Sequence, residues 1–337
     1  MTAKPDIAVV VIGRNEGARL VASLASLQGM VSRVVYVDSG STDDSLLAAR
    51  DAGALVVELD LSIPFTAARA RNAGFAALDP VPEFVQFIDG DCVLEQGWIS
   101  AGLAALDQNE DMGIVSGWRS ELYPDASVYN GLTDFEWHRP AGDIDVCGGD
   151  MIVRSKAFLA VKGFNPGIIA GEDEEFCIRV GKAGWRVHRL PVKMTRHDAG
   201  MMRFSQWWQR AVRAGHAYAQ VSMLHPEYSR RTRLRIFVFG AVLPLIGLFG
   251  LIFAPWLLVP VFLIYLWSYV RTVRGLQSQG LASDKSRHQS VFLSLSKLPN
   301  LFGMLTYYWR RLFRRDMVLI EYKSVSYTHL TLPTIQL

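Results

Sequence analysis

The sequence predicts an α/β fold with a mainly parallel sheet, followed by a long apolar helical hairpin. Short apolar runs alternate with helical patterns four times within about ninety residues, which is typical of parallel strands joined by crossover helices. Farther along, residues 236–270 contain no charged side chain. The chain has 337 residues, of which 50% are hydrophobic, and this length suffices for one sizeable α/β domain and a second element.

The strands of the first half are marked by runs of β-branched and other apolar residues. These runs predict strands at 7–12, 34–37, 55–57 and 84–88. Continuous apolar runs are typical of parallel strands that are covered on both faces. Between the strands, apolar residues recur at helical spacing, and the third of these helices is predicted over 65–78.

Between residues 110 and 200 the alternation loosens, although strand and helix patterns continue. Strands are predicted at 113–118, 151–153 and 185–190, and a helix at 174–183. A longer amphipathic helix is predicted over 207–223. We place the boundary of the first domain at residue 228, so that this domain covers 1–228.

The uncharged stretch is too long for one membrane crossing. As a single helix it would reach about 50 Å, whereas the hydrocarbon core of a bilayer is about 30 Å thick. Basic residues flank both sides, which by the positive-inside rule places both ends in the cytoplasm. We therefore predict a membrane helical hairpin over 229–275, either transmembrane or re-entrant, that turns near Ala254, Pro255 and Trp256. A buried hairpin of a soluble domain is the alternative.

The remainder of the chain is basic and amphipathic. Residues 291–315 mix aromatic and apolar side chains with clustered arginine. This composition suits a helix at an anionic membrane surface, and an equal alternative is a helix packed on the first domain. We assign 276–323 to this surface segment. The last residues, 324–337, carry no acidic or basic side chain besides His329 and no helical period, which is typical of a non-native tail.

Charge and cysteine content argue against nucleic-acid binding, a zinc site and a disulfide framework. The formal net charge is +3 and the charges are nearly balanced before residue 200, so nucleic acid is not an expected partner. The three cysteines, Cys92, Cys147 and Cys177, match neither a zinc site nor a disulfide framework, which favours a reducing compartment. The apolar run 7–12 is too short for a secretory signal, so we expect the first domain on the cytosolic side.

Two acidic residues end the fourth predicted strand. Asp89 and Asp91 follow the run 84–88 with only Gly90 between them. Open α/β sheets place ligands at the carboxyl ends of their strands, and paired carboxylates can hold a hard divalent cation. Such a cation can neutralise a diphosphate as it leaves a sugar. A solvated turn is the alternative for an isolated Asp-x-Asp.

Further motifs complete an ordered set along the chain. They are Gly13-Arg14-Asn15-Glu16, Asp38-Ser39-Gly40-Ser41-Thr42-Asp43, Ala70-Arg71-Asn72-Ala73-Gly74, Asp89-Gly90-Asp91, Gly148-Gly149 and Gly171-Glu172-Asp173-Glu174-Glu175. Together they resemble the family 2 glycosyltransferases, which are inverting enzymes with the GT-A nucleotide-diphospho-sugar transferase fold. The resemblance covers roughly residues 5–200. The apolar hairpin and basic tail resemble those of bacterial membrane-associated members that build exopolysaccharide or lipid-linked glycans.

The resemblance implies roles for individual residues. The residues expected to hold the nucleotide sugar are Asn15, Glu16, Asp38, Arg71, Asp89, Gly149, Asp150 and Glu172. Those expected to hold the cofactor, Mg²⁺ or Mn²⁺, are Asp91, Asp89 and His197. Asp173 is the expected general base, because the Glu-Asp pair of the family matches Glu172 and Asp173. Ser39 stands where a second aspartate often follows Asp38, so a ribose contact from that position is in question.

Each of these residues also has a purely structural interpretation. Asp38 can cap a helix, and Arg71 can belong to an ordinary ion pair. The acidic run 172–175 can complement the dipole of the following helix, although close like charges also raise a carboxyl pKa, as suits a general base. His197 can be structural, and the glycines at 148–149 can form a strand-entry turn.

The sequence therefore predicts an inverting, metal-dependent glycosyltransferase. It would move a sugar from a nucleoside diphosphate donor to a hydroxyl of a lipid-linked glycan, in exopolysaccharide or cell-envelope synthesis, on the cytoplasmic side of a bacterial inner membrane. Transfer to polyprenyl phosphate is the close alternative. A non-catalytic nucleotide-sugar-binding membrane protein is the alternative of another class. A nucleotidyltransferase is not favoured, because residues 13–17 do not form a glycine- and lysine-rich phosphate loop.

Overall fold

The first half of the chain forms a parallel sheet in the computed structural model, which describes residues 6–31, 33–318 and 320. Its strands are β1 (Ile7–Gly13), β2 (Arg33–Asp38), β3 (Leu55–Glu58) and β4 (Phe84–Asp89). The crossover helices are α1 (Ala18–Leu27), α2 (Ser45–Asp51) and α3 (Ala67–Ala76). The order β3-β2-β1-β4 places the carboxyl ends of β1 and β4 side by side. The predicted strand–helix alternation of this half is confirmed.

The second half of the domain extends this sheet with mixed strand directions. Its elements are β5 (Cys92–Leu94), α4 (Trp98–Gln108), β6 (Met112–Glu121), α5 (Val128–Trp137), β7 (Gly142–Asp143), β8 (Met151–Arg154), α6 (Ser155–Ala160), α7 (Glu172–Lys182) and β9 (Arg186–His197). The full order is β3-β2-β1-β4-β8-β6-β9-β5, with β7 beside β9. Among the described strands four pairings are parallel and four antiparallel, so the sheet is mixed rather than mainly parallel.

The sheet is buried on both faces. Val10 and Phe87 pack into one apolar core, whereas Val9, Val11 and Ile88 pack into the other. Helices cover both sides, and for this reason the strand sequences are continuously apolar instead of alternating. The polar side chains that follow the strands therefore collect at the carboxyl edge of the sheet.

Strand β9 is longer than predicted. The predicted strand 185–190 ends before Pro191, because proline cannot donate to a strand ladder. In the structure the strand continues through Pro191 to His197, and its pairing with β6 shifts register around Trp118. His197 is thus the last residue of a strand and not part of a following loop. Helix α7 likewise begins earlier than predicted, at Glu172 instead of residue 174.

An apolar hairpin follows the α/β domain, whose last helix is α8 (Phe204–Leu224). The elements of the hairpin are α9 (Arg230–Phe237), a π-helical turn (Val238–Val242), α10 (Leu243–Phe253), a 3₁₀ turn (Pro255–Leu257) and α11 (Leu258–Ser278). Two stretches of 24 residues, Arg230–Phe253 and Pro255–Ser278, are long and apolar enough to cross a membrane. They meet at Ala254, as predicted, and the Tyr265 hydroxyl donates to the Phe239 carbonyl at 2.6 Å. Insertion of this hairpin into a bilayer stays a prediction.

The last two described helices return to the α/β domain. Helices α12 (Ser283–Leu295) and α13 (Lys297–Leu312) follow the hairpin, and α13 crosses α8 so closely that backbones touch. A Cβ added to Gly215 would lie 1.9 Å from the Asn300 carbonyl oxygen, and one added to Gly303 would lie 1.9 Å from that of Val212. The opposite face of α13 exposes apolar side chains such as Trp309. Its location at a membrane surface stays a prediction, and the predicted tail 324–337 lies outside the described residues.

The crossing of α8 and α13 gives a prediction about stability. Gly303→Ala is expected to lower the free energy of unfolding by about 1–3 kcal/mol or more, because a new methyl group must displace backbone. Gly181→Ala is the matched control, since its Cβ would meet no atom within 4 Å on helix α7. Alanine there is expected to leave stability unchanged or raise it by up to about 1 kcal/mol. Thermal unfolding followed by circular dichroism measures both variants, and equal melting temperatures would contradict the described crossing.

Candidate active site

A large cleft opens at the carboxyl edge of the sheet. Its volume is about 1430 Å³. Ten of the residues singled out in the sequence line it: Asn15, Glu16, Arg71, Asp89, Asp91, Gly149, Asp150, Glu172, Asp173 and His197. These residues come from six separate segments of the chain, and the parallel ends of β1 and β4 bring the first and third of these segments together.

Asp38 is the exception among the predicted site residues, because it does not line the cleft. Its carboxylate is 2% exposed and accepts hydrogen bonds from the Gly40 and Ser41 amides, both at 2.8 Å. The Tyr36 hydroxyl donates to its other oxygen at 3.0 Å. Asp38 therefore orders the loop after β2, and any direct contact with a nucleotide stays a prediction.

The loop after β1 is tied to the loop after β2. The Asn15 side-chain oxygen accepts from the Thr42 amide at 2.7 Å, and the Asn15 amide donates to the Ser41 hydroxyl at 2.9 Å. Next to it, Glu16 accepts from Arg19 at 2.8 Å while its side chain remains in the cleft wall. The two loops thus form one ordered rim of the cleft, where a nucleoside could be bound by polar side chains and backbone.

Arg71 connects two acidic segments beneath the cleft floor. It is buried, with a side chain 3% exposed, and donates to Asp89 at 2.8 Å and to Glu172 at 2.8 Å. Its guanidinium also fills the space beside Gly149. Because Arg71 lies between β4 and the start of α7, it fixes the distance between these two elements. The ion pair that was an open alternative in the sequence is therefore present.

Arg119 is a site residue that the sequence did not reveal. Its guanidinium lies 2.7 Å from Asp150 and 3.5 Å from Asp89, and Asp150 also accepts from the Thr195 hydroxyl at 2.7 Å. The predicted strand 113–118 stopped just before it, whereas β6 runs to Glu121. Burial alone would raise the pKa of Asp89, but Arg71 and Arg119 outweigh it and hold this pKa below its ordinary value.

Asp91 and His197 form the candidate cation site. The Asp91 carboxylate lies 3.3 Å from His197 Nε2, and both residues are buried. Trp137 packs edge-on against the imidazole, with ring centroids 4.9 Å apart. Together with Cys92 they offer oxygen, nitrogen and sulfur atoms within 4.8 Å of one another. A carboxylate and an imidazole are a donor set that fits Mn²⁺.

The second predicted carboxylate ligand, Asp89, is engaged differently. Its two oxygens face Arg71 and Arg119, so this side chain is held by cations of the protein itself. Asp91 is therefore the better placed of the two carboxylates for direct ligation, as expected from the sequence. Ligation by Asp89 stays a prediction.

Asp173 lies in the first turn of α7, facing the same cleft. Burial, with a further contribution from Glu172, raises the pKa of Asp173 to about 6 although Arg71 opposes the shift. The following residue, Glu174, has a pKa raised to about 8 by burial and by Asp173, and it accepts a hydrogen bond from the Tyr228 hydroxyl. A carboxylate that holds a proton near neutral pH is suited to take one from an acceptor hydroxyl.

The glycine pair before β8 makes a matched test of the cleft floor. A Cβ at Gly149 would lie 2.1 Å from Arg71 Nη2, whereas one at Gly148 would lie 3.9 Å from the nearest atom, an Asp173 oxygen. Gly149→Ala is expected to displace Arg71, to lower stability by about 1–3 kcal/mol and to weaken nucleotide-sugar binding. Gly148→Ala is expected to keep both within error. Calorimetric titration and thermal unfolding measure the pair, and equal behaviour of the two variants would contradict the close contact.

Two family models match the α/β domain. The model for glycosyl transferase family 2 matches residues 8–158, and that for the N-terminal domain of galactosyltransferase matches residues 127–202. The chain contains a glycosyl transferase family 2 domain. The first match contains the loops after β1 and β2 and the Asp89–Asp91 turn, and the second contains Asp173 and His197. This domain supports the prediction, made from the ordered motifs, that the protein is an enzyme.

Individual proteins and structures are similar to this glycosyltransferase over most of its length. The pre-mycofactocin glycosyltransferase of Mycobacterium tuberculosis is 28% identical over 240 residues, which are 66% of this chain and 48% of the relative. The chain thus spans about half the length of this relative. A mannosyltransferase from Pyrobaculum calidifontis, in complex with GDP-Man and Mn²⁺, superposes with a TM-score of 0.59 at 15% identity and covers 92% of this chain and 89% of that one.

A second solved structure has a similar fold. S. aureus TarS, residues 1–349, superposes with a TM-score of 0.50 at 16% identity, covering 91% of each chain. At such low identity these structures show the fold alone. The prediction of a GT-A glycosyltransferase fold is confirmed.

Proposed function

We propose that this enzyme transfers a sugar from a nucleoside diphosphate donor to an acceptor hydroxyl with inversion of the anomeric centre, and that a divalent cation assists. The observation that carries the proposal is the convergence of Asp91, His197 and Asp173 on one cleft. The mannosyltransferase of similar fold is in complex with GDP-Man and Mn²⁺, which supports the donor class and the cation.

In a single displacement of the diphosphate, each group of cleft residues would have a separate role. Bound at Asp91 and His197, Mn²⁺ or Mg²⁺ would neutralise charge on the leaving diphosphate. Arg71 and Arg119 keep the carboxylate of Asp89 ionised and in place, so the cleft floor is ordered before the donor binds. The loop with Asn15 and Glu16 forms the wall for the nucleoside.

Asp173 acts on the acceptor in this proposal. Its carboxylate takes the proton of the acceptor hydroxyl while that oxygen forms a bond to the anomeric carbon. The bond between this carbon and the diphosphate oxygen breaks, its electron pair stays on the oxygen, and the nucleoside diphosphate leaves. Attack from the face opposite the leaving group inverts the configuration, so no covalent sugar–enzyme intermediate forms.

The proposed acceptor is a lipid-linked glycan at the inner membrane, with the cleft in the cytoplasm. Support comes from the two helices that are long and apolar enough to cross a membrane, with large apolar side chains exposed along them. Arginines lie at the start of the first helix and follow the apolar part of the second, which favours cytoplasmic ends for both. An exopolysaccharide or another cell-envelope glycan would be the product.

A panel of nucleotide sugars tests the proposal. The full chain in detergent is incubated with UDP-, GDP- and dTDP-linked sugars and with Mn²⁺, Mg²⁺ or EDTA, and both donor binding and nucleotide release are measured. We expect one donor class to bind and to turn over only with a divalent cation. The anomeric configuration of the product, determined by NMR, is expected to be opposite to that of the donor. Donor binding with no turnover for any donor and acceptor would instead support a non-catalytic nucleotide-sugar-binding protein.

A further inference from the structure

Basic residues cluster where α5, α8 and α13 border the cleft. The carboxylates described above lie at the edge of the sheet, on the side of β1, β4 and α7. We call the basic cluster the basic wall, and its five members are Arg139, Arg203, Arg210, Arg213 and Lys297. Three of them lie on or beside helix α8, one follows α5 and one begins α13.

Most of the basic wall is not neutralised by the protein. Arg210 pairs with Glu136 at 3.0 Å. For the other four, the described part of the chain provides no carboxylate within ion-pair distance. Arg139 donates to the Glu136 backbone carbonyl at 3.2 Å, and Lys297 donates to the Ser296 hydroxyl at 3.3 Å. Glu174 also faces Arg139, so two glutamates stand against five cations. The wall therefore keeps a net positive charge inside a cleft, where low dielectric lengthens its reach.

Neighbouring groups add to the positive potential around Lys297. Burial lowers the pKa of this ammonium, the nearby Glu136 opposes the shift, and Arg235 on α9 adds to it. A bound anion would relieve the repulsion between Lys297 and Arg235 and replace some of the solvation that burial removes. An anionic ligand would therefore complete the charge balance of this wall.

The position of the basic wall indicates which anion it binds. Thr232 on α9 and Leu293 on α12 line the same part of the cleft, and the uncharged run begins four residues after Thr232, at Ile236. The π-helical turn touches the start of α13, because a Cβ on Gly240 would lie 2.7 Å from the Lys297 carbonyl oxygen. At Lys297 the wall thus meets the apolar hairpin. At its other end Arg139 donates to Glu136, next to Trp137, which packs against His197.

We propose that the basic wall is an acceptor subsite that binds the phosphate or diphosphate group of an isoprenoid lipid. The lipid chain leaves the cleft along the hairpin, beside Leu293, while the reacting oxygen of the acceptor lies at Asp173. This inference rests on the proposed function, since it assigns the acceptor side of the same cleft. A cluster of guanidinium and ammonium groups suits phosphate oxygens better than neutral sugar hydroxyls.

Binding of a short isoprenoid phosphate tests the proposal without requiring turnover. The full chain in detergent is titrated with farnesyl phosphate, with farnesol and with the Mn²⁺ complexes of GDP and UDP, and dissociation constants are measured by calorimetry. The variant Arg213→Gln/Lys297→Gln removes two charges of the wall. Arg274→Gln is the control, because this exposed arginine lies on α11 outside the cleft.

We expect the double variant to bind farnesyl phosphate at least about tenfold more weakly than the unmodified chain, with nucleotide binding kept within about twofold. Farnesol is expected to bind weakly and equally to both, and Arg274→Gln is expected to behave as the unmodified chain. Unchanged binding of farnesyl phosphate would overturn the proposal, and so would equal affinity for farnesol. A parallel loss of nucleotide affinity would assign the wall to the donor diphosphate instead.

The proposed function fails in a different way. If it is wrong, the unmodified chain either binds no nucleotide in a Mn²⁺-dependent manner or binds a donor without turnover, whatever the result with the lipid. An equal loss of farnesyl phosphate binding in Arg274→Gln would show general attraction between basic helices and an anionic micelle, and it would overturn the assignment of a defined subsite.

Discussion

Asp91→Asn is expected to lower kcat/KM for sugar transfer by about a thousandfold or more and to abolish the response to Mn²⁺. The substitution keeps the shape of the side chain but removes its charge, 3.3 Å from His197 in a buried site. Without the carboxylate, the imidazole alone cannot retain a divalent cation against water. Electron paramagnetic resonance of free Mn²⁺ measures binding, and a transfer assay measures the rate in parallel.

An exposed aspartate elsewhere in the same domain, Asp145, provides the control for this variant. Asp145 is exposed and does not line the cleft, so Asp145→Asn removes the same charge from the same domain without touching the site. We expect it to keep Mn²⁺ affinity and transfer rate. If Asp91→Asn retained stoichiometric Mn²⁺ binding, the cation would have to lie elsewhere in the cleft.

Asp173→Asn is expected to abolish transfer to a hydroxyl acceptor while the donor and Mn²⁺ still bind. Asparagine cannot accept the proton, so a loss of about a thousandfold or more in kcat is expected with little change in donor affinity. Activity of the unmodified enzyme should rise with pH through about 6, because only the ionised carboxylate accepts a proton. A variant that still transfers sugar to farnesyl phosphate would instead favour a phosphate nucleophile, which needs less help from a base.

The same substitution should stabilise the metal-free protein at neutral pH. The folded-state pKa of Asp173, about 6, lies above the ordinary value of 3.8, so folding favours the protonated form. Stability of the unmodified chain therefore falls as the pH rises from about 4 to about 6, and the full cost, on the order of 3 kcal/mol, is present above that window. Asparagine never ionises and avoids this cost. Melting temperatures in EDTA should favour Asp173→Asn at pH 7.5 and converge at pH 4, and a variant less stable at pH 7.5 would contradict the raised pKa.

The parallel half of the sheet could be predicted because the signal for each strand lies within the sequence of that strand. Strands such as β1 are buried on both faces and therefore have uninterrupted apolar sequences. The later strands are harder to recognise, since β6 becomes polar from Arg119 onward where it faces the cleft, and β9 passes through Pro191. In both strands, pairing with neighbouring strands extends the strand beyond its apolar sequence, and the added part contains a site residue, Arg119 in β6 and His197 in β9.

The candidate site also contains residues that sequence motifs predict and residues that only tertiary contacts reveal. Asp91, Asp173 and His197 could be proposed from the order of motifs, since each motif places one polar residue at a sheet edge or helix start. Arg119 carries no motif, and its importance depends on two partners, Asp150 and Asp89, that are 31 and 30 residues away. Asp38 has a recognisable motif, but its carboxylate turns into its own loop. Which way a side chain points depends on neighbours that a linear pattern does not specify.

The contacts of Gly215 with Asn300 and of Gly303 with Val212 have a mechanical consequence. Arg213 of helix α8 lines the cleft. Two residues later, at Gly215, the backbone of α8 contacts the backbone of α13 directly, with no side chain between them. The start of α13 in turn meets the hairpin at Gly240. A tilt of the apolar hairpin in a bilayer would therefore be transmitted to the cleft through these close backbone contacts. For a hairpin that spans a bilayer, as proposed, this joint would set the height of the cleft above the membrane surface.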